Sequence, residues 1–153
     1  MSDYGLFLAD GLIDMRLLAG DIAADDGLET SVLISLFSDA RATDDLLAAI
    51  DRDGDLRGFW GDLDSDHNTG SLLWTIKRAK QLTSILERAR RYAQSSLQWL
   101  IEDAIAKRVE VATSYPQRGW MLIEVFIYRP GNSNPVSYRY NYEWQAQIIK
   151  VAR

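Results

Sequence analysis

Hydrophobic positions along the 153 residues change their spacing several times, and each change predicts an element. Leu12, Ile13, Met15, Leu17 and Leu18 crowd the interval Gly11 to Asp21 and read as a strand or hairpin, closed by the turn residues Asp25, Asp26 and Gly27. Val32, Leu33, Leu36, Phe37 and Ala40 then fall at helical spacing, so Leu28 to Ala40 is expected to be a short amphipathic helix, with Thr30 or Asp26 as its cap. A brief helical turn through Leu46, Leu47 and Ile50 is expected to start at Thr43-Asp44-Asp45, and a second helix near Ser71, carrying Leu72, Leu73, Trp74 and Ile76. Ser84 and Glu87 match a capping box. Beyond them Ile85, Leu86, Ala89, Tyr92, Ala93, Leu97, Leu100, Ile101, Ala104 and Ile105 form one stripe, which predicts about six turns of amphipathic helix.

Past that helix the period becomes two. Val109 to Val111 reads as a short strand. Trp120 to Tyr128 is apolar on both faces except for Glu124, the pattern of a strand covered on both sides. After the turn from Pro130 to Pro135, the interval Val136 to Trp144 alternates strictly, with Val136, Tyr138, Tyr140, Tyr142 and Trp144 on one face. The last two runs predict a hairpin. The expected architecture is α+β: a long amphipathic helix packed on a small, mainly antiparallel sheet with a C-terminal β-hairpin. Length favours a single domain over 1–153, with an acidic half, 1–70, and a helix-plus-hairpin half, 71–153.

Charge sharpens that division. Residues 1–70 carry 16 acidic and 4 basic side chains, whereas residues 71–153 carry 6 and 13. Such polarity points to an electrostatically polarised molecule or to two halves that complement each other. A pI near 4.8 and dispersed basic residues argue against nucleic-acid binding. No apolar run approaches the roughly 18 residues of a membrane span, and the N-terminus lacks a signal-peptide pattern. Zero cysteines remove disulfide, thiolate-metal and cysteine-nucleophile chemistry, and the single histidine, His67, removes multi-imidazole sites. No cofactor is expected.

Three features have chemical content. Asp51, Asp53, Asp55 and Asp62 are spaced like the ligands of a calcium loop, but Leu56 stands where that loop needs glycine, so a solvated acidic loop is the simpler reading. Glu29, Glu102, Asp103 and Glu124 are the acids from which a glycosidase pair would be drawn, yet Glu102 and Asp103 point to different faces of a helix. Phe59 and Trp60, in the middle of an Asp- and Gly-rich stretch, are expected to pin a long loop to the core. The aromatic face of the last strand reads as core first. A row of tyrosines also suits an interface, and a long strand near the terminus suits an open edge.

Gly27-Leu28-Glu29-Thr30, Arg57-Gly58-Phe59-Trp60-Gly61-Asp62, Gly70-Ser71-Leu72-Leu73-Trp74 and Leu97-Gln98-Trp99-Leu100-Ile101-Glu102-Asp103 occur in that order. Together they resemble the Mu-like phage baseplate protein family, related to the sheath-initiator (lysozyme-like) wedge proteins of contractile tails. The resemblance implies a non-enzymatic virion component, made in the host cytoplasm and present in several copies around the tail axis. Its implied partners are wedge, sheath and tube proteins, with no nucleic acid and no membrane. It implies sheath nucleation through shared strands, with Tyr138, Tyr140, Tyr142 and Trp144 on the partner-binding strand and Trp99 and Arg108 docking on the wedge. Of the Glu-Pro-Arg motif that the wider family carries after its long helix, only Arg108 is present, in Ala106-Lys107-Arg108-Val109. The alternative is a tail-associated peptidoglycan hydrolase; a calcium-dependent binding module is a third class.

Overall fold

The computed structural model describes residues 3–4, 6–9, 12–15, 17–18, 21–22, 24–25, 28–49, 55–63 and 68–152. The expectations placed on Asp26, Asp51, Asp53 and His67 lie outside them. Near the N-terminus the backbone forms β1 (Asp3–Tyr4), β2 (Leu6–Ala9), β3 (Leu12–Met15), β4 (Leu17–Leu18), β5 (Asp21–Ile22) and β6 (Ala24–Asp25). β2 pairs with β3, β4 with β5 and β1 with β6, all antiparallel.

Helix α1 (Glu29–Phe37) buries Val32, Leu33 and Leu36 completely. Its N-cap is Leu28, without a side-chain cap, and Thr30 is buried inside the helix. Thr43 does cap α2 (Asp44–Ala49): the Leu46 N–H donates to its Oγ1 at 3.2 Å. The helix expected near Ser71 is a five-residue 3-10 turn, Leu72–Ile76, with the Ser71 hydroxyl accepting from the Leu73 N–H. Gly70 makes that junction possible. Its φ of +97° is left-handed, and a Cβ there would collide with the Ser38 carbonyl.

The long stripe forms two helices rather than one, α3 (Thr83–Ser96) and α4 (Trp99–Glu102). At Leu97 the φ/ψ pair moves to −103°/2°, and its N–H bonds back to the carbonyls of Gln94 and Ser95. The Ser96 hydroxyl, bonded to the Ala93 carbonyl, is the kind of local competitor that loosens a helix there. The buried face continues across the break through Ile85, Ala89, Ala93, Leu97 and Leu100. The capping box does not form either. Leu82 occupies the N-cap position, Ser84 lies inside the first turn, and Glu87 turns to Arg90 at 2.6 and 3.0 Å. Ala104, with φ +57°, ends the segment.

The sheet is a four-stranded antiparallel meander in the order β10-β9-β8-β7: β7 (Arg108–Gln117), β8 (Trp120–Tyr128), β9 (Val136–Glu143) and β10 (Ile148–Val151). β7 is ten residues long, well beyond the expected Val109 to Val111, and β10 was not expected at all. β8 alternates between fully buried Met121, Ile123, Val125 and Ile127 and half-buried Leu122, Glu124 and Phe126. One face therefore meets the helices, and the other is not covered as its composition suggests. The inner face, α1 and α3 share one hydrophobic cluster, in which each fully buried aliphatic side chain contributes about 1.5–3 kcal/mol.

Candidate assembly surface

The aromatic face of β9 is turned inward. Trp144 is buried, its indole N–H donating to the Ala79 carbonyl at 3.0 Å and its ring 5.6 Å from that of Tyr115. Tyr140 and Tyr142, also buried, hold the Phe37 ring of α1 between them at 5.4 and 5.6 Å. Burial pushes the Tyr142 hydroxyl up to about 12, while a hydrogen bond from Gln147 works in the opposite direction. The Tyr138 hydroxyl accepts from the Leu28 N–H at 3.3 Å. These four side chains serve the interior, because α1 covers the face that an alternating strand presents.

β9 is not an edge, and neither is β8; each has a neighbour on both sides. The edges are β7 and β10. β7 is blunted: Pro116 has no N–H, the register breaks between Ser114 and Gln117, and Gln94 donates to the Val109 carbonyl at 2.5 Å. β10 has neither a proline nor a register break, though it carries Lys150. The Ala152 N–H donates to the Arg139 carbonyl at 2.9 Å, and the register pairs Lys150 with Asn141 and Ile148 with Glu143. Hydrogen-bonded pairs recur at alternate residues of an antiparallel ladder. The backbone groups of Ile149 and Val151 therefore face away from β9, and Val151 is 47% exposed. β2 approaches β10 and α1 without joining the sheet.

Trp99 and Arg108 lie apart. The Trp99 indole N–H donates to Ser35 Oγ of α1 at 3.0 Å, and its ring lines a groove of about 530 Å³ whose charged walls are Glu102 and Asp103. Arg108 stands on the other side of the sheet, 4.0 Å above the Tyr128 ring and 3.3 Å from Glu110, with its side chain 58% exposed. Tyr128 donates to the same Glu110 carboxylate. The structure thus splits the six expected partner-binding residues into an interior set, a groove residue and an outer-face residue.

The long loop is held differently from the expected Phe59–Trp60 anchor. Trp60 is 80% exposed, its ring tilted against that of the neighbouring Phe59 at 5.5 Å. The anchors are Leu56, packed against the Ala42, Leu47 and Trp74 cluster, and polar contacts. Arg57 pairs with Asp39 at 2.5 Å and lies 4.6 Å above the Trp74 ring, and the Ala42 N–H bonds to the Leu56 carbonyl. Asp62, a candidate calcium ligand, accepts from the Thr69 N–H and hydroxyl at 2.6 and 2.7 Å, while Asp55 accepts from the Arg57 N–H. Of the candidate catalytic acids, Glu124 is tied to Arg139 at 3.0 Å, and Glu102 and Asp103 sit exposed at the end of α4.

Relatives match most of the chain. The family model described as phage protein GP46 matches residues 28–134. Mu-like prophage FluMu protein gp46 of Haemophilus influenzae is 39% identical over 144 residues, covering 93% of this chain and 98% of that protein. Baseplate protein gp46 of Escherichia phage Mu is 37% identical over 134 residues, covering 87% and 91%. The chain belongs to the phage protein GP46 family, the Mu-like baseplate family that its four ordered motifs resemble.

Proposed function

We propose that the protein is a non-enzymatic structural subunit of a phage tail baseplate, acting as one domain over 1–153. It joins the wedge scaffold and nucleates the contractile sheath by sharing a strand. The observation that carries this reading is its similarity to the baseplate protein of phage Mu along 87% of the chain. Its place is the tail of the virion after synthesis in the host cytoplasm, in several copies around the tail axis against wedge, sheath and tube proteins. The outward backbone groups of Ile149 and Val151 support strand sharing at β10 rather than at β9. The exposed guanidinium of Arg108 and the groove beside Trp99 are the surfaces offered to the wedge.

Val151→Pro tests the shared strand. Proline there removes an outward N–H and leaves the ladder to β9 intact, so the purified variant should fold normally. In cells producing the particle it should enter baseplates that fail to carry sheath, as seen by electron microscopy and sheath immunoblot. Normal sheath on such particles would remove the β10 edge from the mechanism. A proline at Tyr140, in contrast, would strike a buried central strand and report only on folding.

A further inference from the structure

The open edge strand β10 carries one charged residue, Lys150. The side chains of Ile149 and Val151 fall on the core face with their partners Tyr142 and Tyr140, whereas Ile148 and Lys150 fall on the outer face with Glu143 and Asn141. Lys150 is exposed, and its ammonium rests 5.1 Å from the centre of the Trp120 ring. The hollow of about 280 Å³ that it shares there with Pro116, Gln117, Trp120 and Asn141 has no acidic side chain in its lining. Of the other charges nearby, Arg139 is tied to Glu124 at 3.0 Å, and Glu143 stands across from Ile148, one outer-face position away. Arg118, in the turn between β7 and β8, adds positive charge at the same end of the sheet. Among the described residues no carboxylate is paired with Lys150. β2 (Leu6–Ala9), the other strand near β10, has no charged residue and forms no ladder with it.

A lysine on an edge strand has one general use, which is to repel unwanted pairing. The register gives this one a more selective use. The four-stranded sheet is antiparallel throughout, and a strand that continues it pairs through the outward backbone groups of Ile149 and Val151. The residue opposite Lys150 then occupies a non-hydrogen-bonded position, where facing side chains approach most closely. An acidic residue there is within reach of the ammonium, which leaves the Trp120 ring on its flexible four-carbon stem, whereas a basic residue is repelled. The two flanking residues fall on the core face, beside Ile149 and the 47% exposed Val151, where apolar side chains extend the core. We propose that Lys150 determines which strand the β10 edge accepts: a strand of a different protein, with an acidic residue between two apolar ones. The proposal rests on the strand-sharing reading and adds to it the chemistry of the strand that is shared.

The test uses the full chain in particle-producing cells, with the photo-cross-linking residue p-benzoylphenylalanine at Ile148, beside Lys150 on the outer face. The expected adduct joins a different protein at a segment in which Asp or Glu stands between two apolar residues. Lys150→Glu should keep the wild-type melting temperature and lower the fraction of sheathed particles about tenfold, because attraction across the ladder becomes repulsion. Exchanging the partner's acidic residue for lysine should then restore the sheath. If Lys150→Glu melts lower, Lys150→Gln carries the expectation of a smaller, several-fold loss, and Lys150→Arg of none. A general guard would be served by either sign of charge, so normal sheath on Lys150→Glu particles overturns the proposal. An adduct within this chain or to a second copy of it, an absent adduct, a segment without an acid, or a reversal that restores nothing also overturns it. Val151→Pro separates this proposal from the reading beneath it. Sheath lost in Val151→Pro but kept in Lys150→Glu removes the role of Lys150 alone, and sheath kept in both removes the β10 edge as well.

Discussion

Tyr142 shows how a side chain with two uses is committed to one of them. Its ring packs with Phe37 inside the core, and burial lifts its hydroxyl from the ordinary tyrosine value of 10.0 to about 12. The unfolded chain therefore releases this proton near pH 10, while the folded chain keeps it until about 12. In that window the native state binds more protons, so stability is full below pH 10 and declines as pH rises through the window. Between pH 9 and 11.5 the loss from this group should be about 2 kcal/mol, at about 1.4 kcal/mol per unit. Urea unfolding of wild type and Tyr142→Phe at the two pH values measures it: the variant should fall less by roughly that amount. Equal losses would mean that Tyr142 ionises as freely folded as unfolded. The alternation of β9 was legible because period two is unmistakable. The side on which α1 would settle was not, because a row of tyrosines satisfies a core and an interface equally well until Leu28 is seen to meet the Tyr138 hydroxyl.

At the scale of elements, periodicity located the stripe of α3 and α4 but not the joint between them. Ile85, Ala89, Ala93, Leu97 and Leu100 stay on one face whether or not the backbone tightens at Leu97, so hydrophobic spacing cannot report the tightening. β10 was hidden for a different reason: four residues with only Ile149 buried carry too short a pattern. The connection from α1 to the Leu72–Ile76 turn depends on a backbone shape that hydrophobicity does not encode. There the Ser71 N–H bonds to the Ser38 carbonyl and the Ala40 N–H to the Ser71 carbonyl, with Gly70 pressed against Ser38. Gly70→Ala should cost clearly more than about 1 kcal/mol, because strain at positive φ and a backbone collision add. Gly119→Ala is the control, with a similar φ of +83° and nothing within 4 Å of the added carbon; it should cost about 1 kcal/mol or less. Equal values in chemical denaturation would deny the close approach at Ser38 any part in stability.

Across the whole molecule, the division of charge was readable from the sequence, whereas which side chains stay exposed had to be found in three dimensions. Exposed Trp60 and Leu63 belong to the acidic half; β10, Arg108 and the outer sheet face belong to the basic half. Tyr140, Tyr142 and Trp144 are buried in the core cluster. Arg108 tests this division most sharply. Its guanidinium lies over Tyr128 and beside Glu110 but is 58% exposed, and ion pairs so exposed contribute at most about 1 kcal/mol. Arg108→Ala should therefore leave the melting temperature nearly unchanged while lowering the amount of protein that co-purifies with the wedge. Arg108→Lys should restore little of it, because lysine keeps the charge but loses the planar fork that arginine offers to a carboxylate. Full recovery by lysine would make Arg108 a source of general attraction. Full association of the alanine variant would remove Arg108 from the proposed wedge contact.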